Sequence, residues 1–236
     1  MPADSNNHHK FNNFIAGSWV PPSRERYLTL ECGAGSTLMP SSCDIDIDHA
    51  LQAAHNASHD WLELSVTQRV AYLTELAHLT RIFQGLQGHC LSRACGSSIW
   101  DSSANTLGRT RQHLLNPQPT FLLRESNKGA SQQIVVGKLL LDGGEDISGA
   151  FRRIAPALAS GFTLVVALLH RPRQPLCLQL LSFMEYAAHS LPAGILNLVY
   201  GLGVEAGVPL CNTDRAVPIG NFALRGSVGI PTKQKA

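Results

Sequence analysis

Two stretches of the chain decide the fold: residues 163–169 (TLVVALL) and residues 195–207 (ILNLVYGLGVEAG). The first is a continuous apolar run of strand length, which is typical of a strand buried on both faces of a parallel sheet, and the second begins with another strand of the buried type at residues 195–200. Residues 176–189 lie between them and have the length and apolar spacing of a helix. A further strand is expected near residues 222–224. This alternation of strands and helices predicts an α/β fold with a doubly wound parallel sheet.

The glycine turn (residues 201–207) follows the second of these strands and has the pattern Gly201-x-Gly203-x-x-x-Gly207. Backbone N–H groups at such a helix start can receive a phosphate, and glycines let a ligand approach the backbone. The third glycine comes one residue too late for the dinucleotide fingerprint, and the position near Asn221 lacks the usual acidic residue. A tight turn without a ligand explains the same glycines, so both interpretations stay open.

The amino-terminal part of the chain has clearer helix signals than strand signals. Residues 14–20 read as a short strand and turn, and residues 32–43 as a loop rich in glycine, serine and proline. A helix is predicted from Asp44, and a second begins at Ser65, where Ser65 and Gln68 have the spacing of a capping box. Its predicted apolar face includes Val66.

Between residues 85 and 150, glycines interrupt every candidate helix, and only residues 134–136 and 139–141 suggest strands. A short helix over residues 154–158, ended by Gly161, is predicted next. We divide the chain into an amino-terminal strand and loop (1–43), a helical and irregular segment (44–150) and a βαβαβ segment (151–236), all parts of one incomplete domain.

The composition excludes several classes of protein. Of the 236 residues, 44% are hydrophobic and 15% are charged, which excludes an intrinsically disordered chain. The net charge of +2 gives no basic excess for nucleic-acid binding, and no apolar run is long enough to cross a membrane. The amino terminus lacks an apolar signal segment, and none of the six cysteines forms a CxxC pair. We therefore expect a cytoplasmic protein with reduced thiols and with no nucleic-acid or membrane partner.

No residue has a convincing catalytic or metal-binding pattern. Cys177 lies near a predicted helix start, but a small packed apolar residue is the more frequent role of such a cysteine. His55 and His59 have a spacing that can hold a metal ion, but no third ligand follows at a suitable distance. The neighbours His89 and Cys90 have no orienting partner, and the adjacent carboxylates at 145 and 146 are expected to diverge. We therefore predict no catalytic residue and no metal site.

Four blocks of the sequence resemble the NAD(P)-dependent aldehyde dehydrogenase family. Residues 152–163 (RRIAPALASGFT) are similar to its K-I-A-P-A-L-A-x-G-N-T block, and residues 191–207 (LPAGILNLVYGLGVEAG) to its L-P-x-G-x-L-N-V-V-x-G-x-G-x-x-A-G block. Residues 222–227 (FALRGS) resemble A-F-T-G-S, and residues 14–20 (FIAGSWV) resemble F-I-x-G-x-W-V. Bacterial acetaldehyde-type members resemble the chain most closely.

The resemblance implies a Rossmann-type cofactor domain for NAD or NADP, preceded by helices. By this likeness, Gly203 and Gly207 open the helix beside the cofactor. Gly226 and Ser227 match the family's Gly-Ser at the pyrophosphate and nicotinamide end. Neutral N–H and hydroxyl donors suit a pyrophosphate.

The chain departs from the family pattern at positions that hold the cofactor or carry out the reaction. Residues 141–146 (LDGGED) stand where the family has an asparagine that holds the oxyanion, and losing such a donor costs about a hundred- to a thousand-fold in rate. In the family a K-P-x-E motif follows this strand, whereas here only Arg171 and Pro172 resemble it, at a shifted position. Nine residues follow Ser227, and they include neither the family's general-base glutamate nor its nucleophilic cysteine. We expect a truncated family protein that has no catalytic residue and is inactive alone.

Two other readings stay open. In the first, the chain is a binding or assembly module that pairs with a full-length relative or a second copy through exposed apolar surface. Alternatively, the sequence is part of an active enzyme that acts on a small aldehyde. Aldehyde turnover by the purified chain and its size in solution distinguish these readings.

Overall fold

A six-stranded sheet forms the centre of the molecule. The structure is a computed structural model that describes residues 9–32, 35–90, 103–117, 136–142, 146–170 and 176–219. The sheet has the order β2-β1-β7-β6-β5-β8, with strands β1 (Asn13–Ile15), β2 (Ser18–Val20), β5 (Val136–Leu141), β6 (Thr163–Leu169), β7 (Leu196–Gly201) and β8 (Val217–Pro218). The last four are parallel, and β1 is antiparallel to both β2 and β7. Strands β3 (Tyr27–Cys32) and β4 (Gly35–Pro40) form a separate hairpin.

Helices cover both faces of the sheet, as the apolar strands require. Leu164, Val166 and Leu168 of β6 belong to the cluster packed by helices α2 (Val66–Cys90), α4 (Ile147–Ala159) and α5 (Leu176–Ala187). Val165 and Ala167 belong to the opposite cluster, which contains residues of α1 (Asp44–Glu63) and α6 (Val208–Asn212). All residues of β5, β6 and β7 are buried. The doubly wound α/β fold predicted from the sequence is confirmed.

The strand and helix expected between residues 163 and 200 are found with small shifts at their ends. The strand at 163–169 is β6, and the helix from 176 is α5, which continues into a 3₁₀ turn (Ala188–Ser190). The strand predicted near residues 222–224 lies outside the described residues. After the glycine turn the described strand is β8, which pairs with β5 rather than with β7.

The two amino-terminal helices start as predicted. Helix α1 begins at Asp44, and the buried Asp46 carboxylate accepts hydrogen bonds from the N–H groups of Cys43 (2.9 Å) and Ser23 (2.8 Å). At the start of α2, the Ser65 N–H donates to Gln68 Oε1 (2.8 Å) and the Gln68 N–H donates to Ser65 Oγ (3.3 Å). The apolar face predicted for α2 is wrong at Val66, which is 60% exposed.

Two expectations for the first 43 residues are wrong. Residues 14–20 are not one strand but the hairpin β1–β2, whose turn places Ala16 and Gly17 at φ of 53° and 76°. The expected loop at 32–43 contains β4, which pairs in register with β3. The glycine and serine content concealed an alternating pattern that buries Leu30 and Met39.

Where the structure describes residues 85–150, several glycines lie within helices instead of interrupting them, contrary to expectation. Helix α2 continues through Gly85 and Gly88, and helix α3 (Ser103–Leu115) contains Gly108. Helix α4 begins at Ile147 rather than 154, because Asp146 caps it by accepting from the Gly149 N–H (2.8 Å). A helical glycine costs about 1 kcal/mol relative to alanine, which the burial of an apolar helix face outweighs.

The central sheet takes strands from all three segments into which we divided the sequence. Within the described ranges, no helix is long and apolar enough to cross a membrane.

Candidate functional site

The glycine turn lies at the carboxyl edge of the sheet, where β6 and β7 end side by side. The His170 N–H, directly after β6, donates to the Gly201 carbonyl at the end of β7 (2.8 Å). A π-helical turn (Gly203–Gly207) follows and leads into α6. The strand–turn–helix context predicted for Gly203 and Gly207 is therefore present, with π-helical rather than α-helical geometry in its first turn.

Two glycines of the turn have different surroundings. A Cβ at Gly201 would lie 3.0 Å from both the Ala206 Cβ and the Ser42 carbonyl oxygen, so close packing requires glycine there. A Cβ at Gly203 would meet no described atom within 4 Å. Packing among the described residues therefore does not require glycine at 203, and none of them fills the space beside it.

The first helical turn also contains backbone donors that have no described acceptor. The N–H groups of Glu205 and Ala206 donate to the Leu202 carbonyl (3.1 and 2.8 Å). The N–H groups of Gly203 and Val204 have no acceptor among the described residues, as is usual for the first residues of a helix. Such donors at a helix start suit an anionic group.

The one carboxylate in the turn, that of Glu205, forms hydrogen bonds with side chains outside the turn. Glu205 accepts from Arg26 Nη1 (3.2 Å) and from Ser41 Oγ (3.2 Å). Because Arg26 pairs with this charge, Glu205 repels an approaching anion less than a free carboxylate would.

The sequence did not reveal a second feature of this edge, the pair formed by His170 and Tyr200. The His170 Nδ1 lies 2.6 Å from the Tyr200 hydroxyl, and the two rings meet edge to face at 5.9 Å. Tyr200 is 1% exposed, and burial lowers the pKa of His170. The imidazole therefore favours its neutral form, which can both donate and accept a hydrogen bond. The only hint in the sequence was His170 itself, a titratable residue directly after a strand predicted to be buried.

The other predicted positions do not join this site within the described structure. Gly226 and Ser227 lie outside the described residues, as do Glu145 and the side chains of Cys90 and Cys177. Asp146 caps α4 and pairs with Arg109 Nη2 (3.0 Å).

The remaining histidine and cysteine candidates are surface or packing residues. His59 lies beside Asp60 and Glu63, and no described group of three histidine, cysteine or acidic side chains could hold a metal ion. Cys43 and Cys211 are free thiols, and burial raises the pKa of both. A thiol with a raised pKa is a weak nucleophile at neutral pH.

Comparison with curated proteins identifies relatives of one kind. The chain is 28% identical over 223 residues to acetaldehyde dehydrogenase 2 of Cupriavidus necator, covering 87% of this chain and 42% of that protein. It is 29% identical over 229 residues to a probable aldehyde dehydrogenase of Mycobacterium tuberculosis, covering 89% and 43%. The chain thus spans less than half the length of these relatives. No protein-family model matches it.

Solved structures agree with this result at the level of the fold. An NAD-dependent aldehyde dehydrogenase from Sinorhizobium meliloti matches 92% of the chain and 46% of its own length, with a TM-score of 0.72 and 19% identity. A betaine aldehyde dehydrogenase double mutant from Staphylococcus aureus, in complex with NAD⁺, has a TM-score of 0.71 and 16% identity, covering 89% and 45%. The chain is therefore a homologue of the aldehyde dehydrogenases and corresponds to part of their length.

Proposed function

We propose that this chain binds NAD or NADP at the glycine turn. The observation that carries the proposal is the turn that follows a buried parallel strand, where no described atom lies within 4 Å of a Cβ at Gly203 and the N–H groups of Gly203 and Val204 have no described acceptor. The NAD⁺ complex of the Staphylococcus aureus protein, which shares the fold, supports this class of ligand.

The residues present fit a pyrophosphate. Neutral backbone donors bind phosphate oxygens without the cost of desolvating a cationic side chain, and Gly203 allows close approach to them. The pairing of Glu205 with Arg26 lowers the electrostatic penalty at the same helix start. Gly226 and Ser227 remain the further cofactor contacts that the family likeness implies.

We further propose that cofactor binding is this chain's contribution to the oxidation of a small aldehyde to a carboxylate. NAD(P), when bound, supplies the hydride acceptor for that oxidation. No described side chain is assigned as nucleophile or base. Because residues 141–146 contain no asparagine to hold an oxyanion, we expect the chain alone to be inactive or nearly so.

Titration of the purified chain with NAD⁺ and NADP⁺ by calorimetry tests the cofactor proposal. We expect saturable binding of at least one of them, and Gly203→Val is expected to weaken it by about tenfold or more by filling the space beside residue 203. Gly108→Ala is the control, since a Cβ at Gly108 also meets no described atom within 4 Å but lies on α3.

Each outcome of this titration bears on the proposal. Thermal unfolding of Gly203→Val should match that of the wild type, so that weakened binding reports the site and not the fold. Absence of binding by the wild-type chain, or equal affinities of the Gly203→Val variant and the wild type, would refute the cofactor assignment.

A second candidate role is self-association through exposed apolar side chains. Leu62 (38% exposed) and Val66 (60% exposed) lie on either side of the junction between α1 and α2. We propose that this junction contributes to contacts with a second copy. Sedimentation equilibrium of the wild type and of Val66→Ser tests it, and a wild type that remains monomeric at high concentration contradicts it.

A further inference from the structure

A groove separate from the glycine turn lies between α2 and the end of α5. It has a volume of about 560 Å³, within the range of small-molecule sites. Tyr72, Glu75 and Leu79 of α2 line one side, and Tyr186 and His189 line the other. His189 belongs to the 3₁₀ turn that precedes β7, so the groove lies toward the amino end of that strand, whereas the glycine turn follows its carboxyl end.

Each of the two tyrosine rings packs against another aromatic ring. The Tyr72 ring lies 5.6 Å from the ring of Trp61, which is 1% exposed. The Tyr186 ring lies 6.0 Å from that of Phe83, with an interplanar angle of 32°, so the two rings pack in a tilted arrangement. Tyr186 also lines the groove and is 37% exposed. The aromatic walls therefore exist without a ligand.

Glu75 gives the groove a negative charge that has no described ion-pair partner. It is the only carboxylate among the described residues that line the groove, and no described lysine or arginine lines it. Glu75 has no hydrogen bond or ion pair with any described residue. The neighbouring acid Glu185, by contrast, pairs with His9 (3.3 Å) and does not line the groove.

We propose that this groove binds a small organic cation, with an alkylammonium group between Tyr72 and Tyr186 and against Glu75. Aromatic π faces and a carboxylate without a described partner both attract a positive charge, and the ring faces also accept the methyl groups that such a cation carries. A single carboxylate is too few ligands for a divalent metal, and an anion would be repelled. The proposal is independent of cofactor binding at the glycine turn.

Choline is the test probe, and 3,3-dimethyl-1-butanol, which has the same shape without the charge, is the matched neutral compound. We expect NMR titration of the full chain with choline to shift the ring signals of Tyr72 and Tyr186 saturably. The neutral compound should bind at least about tenfold more weakly, because it lacks the Coulomb and cation–π terms.

Two variants test whether choline binds in this groove. Glu75→Gln is expected to weaken choline binding by about tenfold. Glu185→Gln, which removes a nearby carboxylate outside the groove, should leave it unchanged. Both positions are exposed, and circular dichroism checks that each variant is folded.

Three results would overturn the proposal: equal binding of the neutral compound, no effect of Glu75→Gln, or tyrosine shifts that depend on protein concentration without any ligand. The last result would identify a second copy of the chain as the occupant. Retention of choline binding by Gly203→Val would separate this groove from the cofactor proposal.

Discussion

Arg69 is a buried cation that joins the ends of two helices. It is 6% exposed, and its guanidinium donates to the carbonyl oxygens of Ala159 (3.0 Å), Trp61 (3.3 Å), Leu62 (3.3 Å) and Leu64. These carbonyls lie at the carboxyl ends of α1 and α4, where a helix dipole favours positive charge. One side chain thus satisfies acceptors that both helices leave open.

We predict that Arg69→Met lowers the free energy of unfolding by about 3 kcal/mol, because several buried carbonyls lose a charged donor at once. Urea denaturation followed by circular dichroism measures the change. Arg24→Met is the control, since Arg24 makes only an exposed ion pair with Asp44 (3.4 Å) and should change stability by less than about 1 kcal/mol. Equal losses in the two variants would contradict this role of Arg69.

His170 makes stability depend on pH. Burial lowers the pKa of this imidazole in the folded chain below its ordinary value of 6.5. The unfolded chain therefore binds more protons between those two pKa values, so stability is full above pH 6.5 and falls as the pH decreases through this window. Burial and the nearby Arg152 and Arg109 also lower the pKa of His113, which adds to the same trend.

We predict that His170→Gln reduces this loss of stability at acidic pH, because glutamine does not titrate and can still bond to the Tyr200 hydroxyl. Urea denaturation at several pH values between 5 and 8 measures the slope. His59→Gln, at an exposed position, serves as the control and should retain the wild-type slope. A slope unaltered in the His170→Gln variant would mean that His170 is not the responsible group.

At the scale of single elements, Gly108 and Gly161 differ in whether the backbone needs a glycine. Gly108 lies within α3 and has no described atom within 4 Å of a Cβ built on it, whereas Gly161 follows α4 at a φ of +96°, a conformation that favours glycine. Gly161 is the helix-ending glycine that the sequence predicts. Gly108 has no such structural requirement.

We predict opposite effects of alanine at these two positions. Gly108→Ala should raise the free energy of unfolding by about 0.5–1 kcal/mol through helix propensity. Gly161→Ala should lower it by about 1–2 kcal/mol or more, because alanine is strained at positive φ and its Cβ would approach Leu62 Cδ1 to 3.0 Å. Thermal and urea unfolding of both variants decide the signs, and equal signs would contradict this distinction.

The elements that could be predicted are those whose signal is local. The apolar run of β6 and the capping box of Ser65 and Gln68 are visible in consecutive residues, and both are found. The β3–β4 hairpin and helix α3 were missed because glycine and serine content masked weaker periodic patterns. Their stability depends on tertiary packing, for example of Leu30 and Leu114, which are 1% and 0% exposed.

The same limit applies to the candidate site. The glycine spacing at 201–207 can be read directly, so the turn and its place between strand and helix were expected. The contact of His170 with Tyr200 depends on the register of two strands, and that of Glu205 with Arg26 joins residues 179 positions apart. No local pattern encodes either pairing.

At the scale of the whole molecule, the amino-terminal hairpin completes the sheet. Strand β1 lies beside β7, although about 180 residues separate them in sequence. Asn197, 0% exposed, fixes this junction: its Oδ1 accepts from the Ala16 N–H (3.0 Å), and its Nδ2 donates to the carbonyls of Gly194 (2.8 Å) and Leu164 (3.2 Å). Strands β1, β6 and β7 are therefore parts of one hydrogen-bonded unit.

We predict that Asn197→Ala destabilises the whole chain in one step, by about 2–4 kcal/mol, because three backbone groups lose their partner and two of these hydrogen bonds are buried. Tryptophan fluorescence and far-ultraviolet circular dichroism should report the same, lowered urea midpoint, since one sheet joins the hairpin to the parallel strands. Asn56→Ala is the matched control: its side chain is exposed and accepts only from Gln52 Nε2 (2.8 Å), so the change should stay within about 0.5 kcal/mol. If the Asn197→Ala variant instead unfolds in two separated transitions, the hairpin is an independent unit and the sheet does not couple the two ends of the chain.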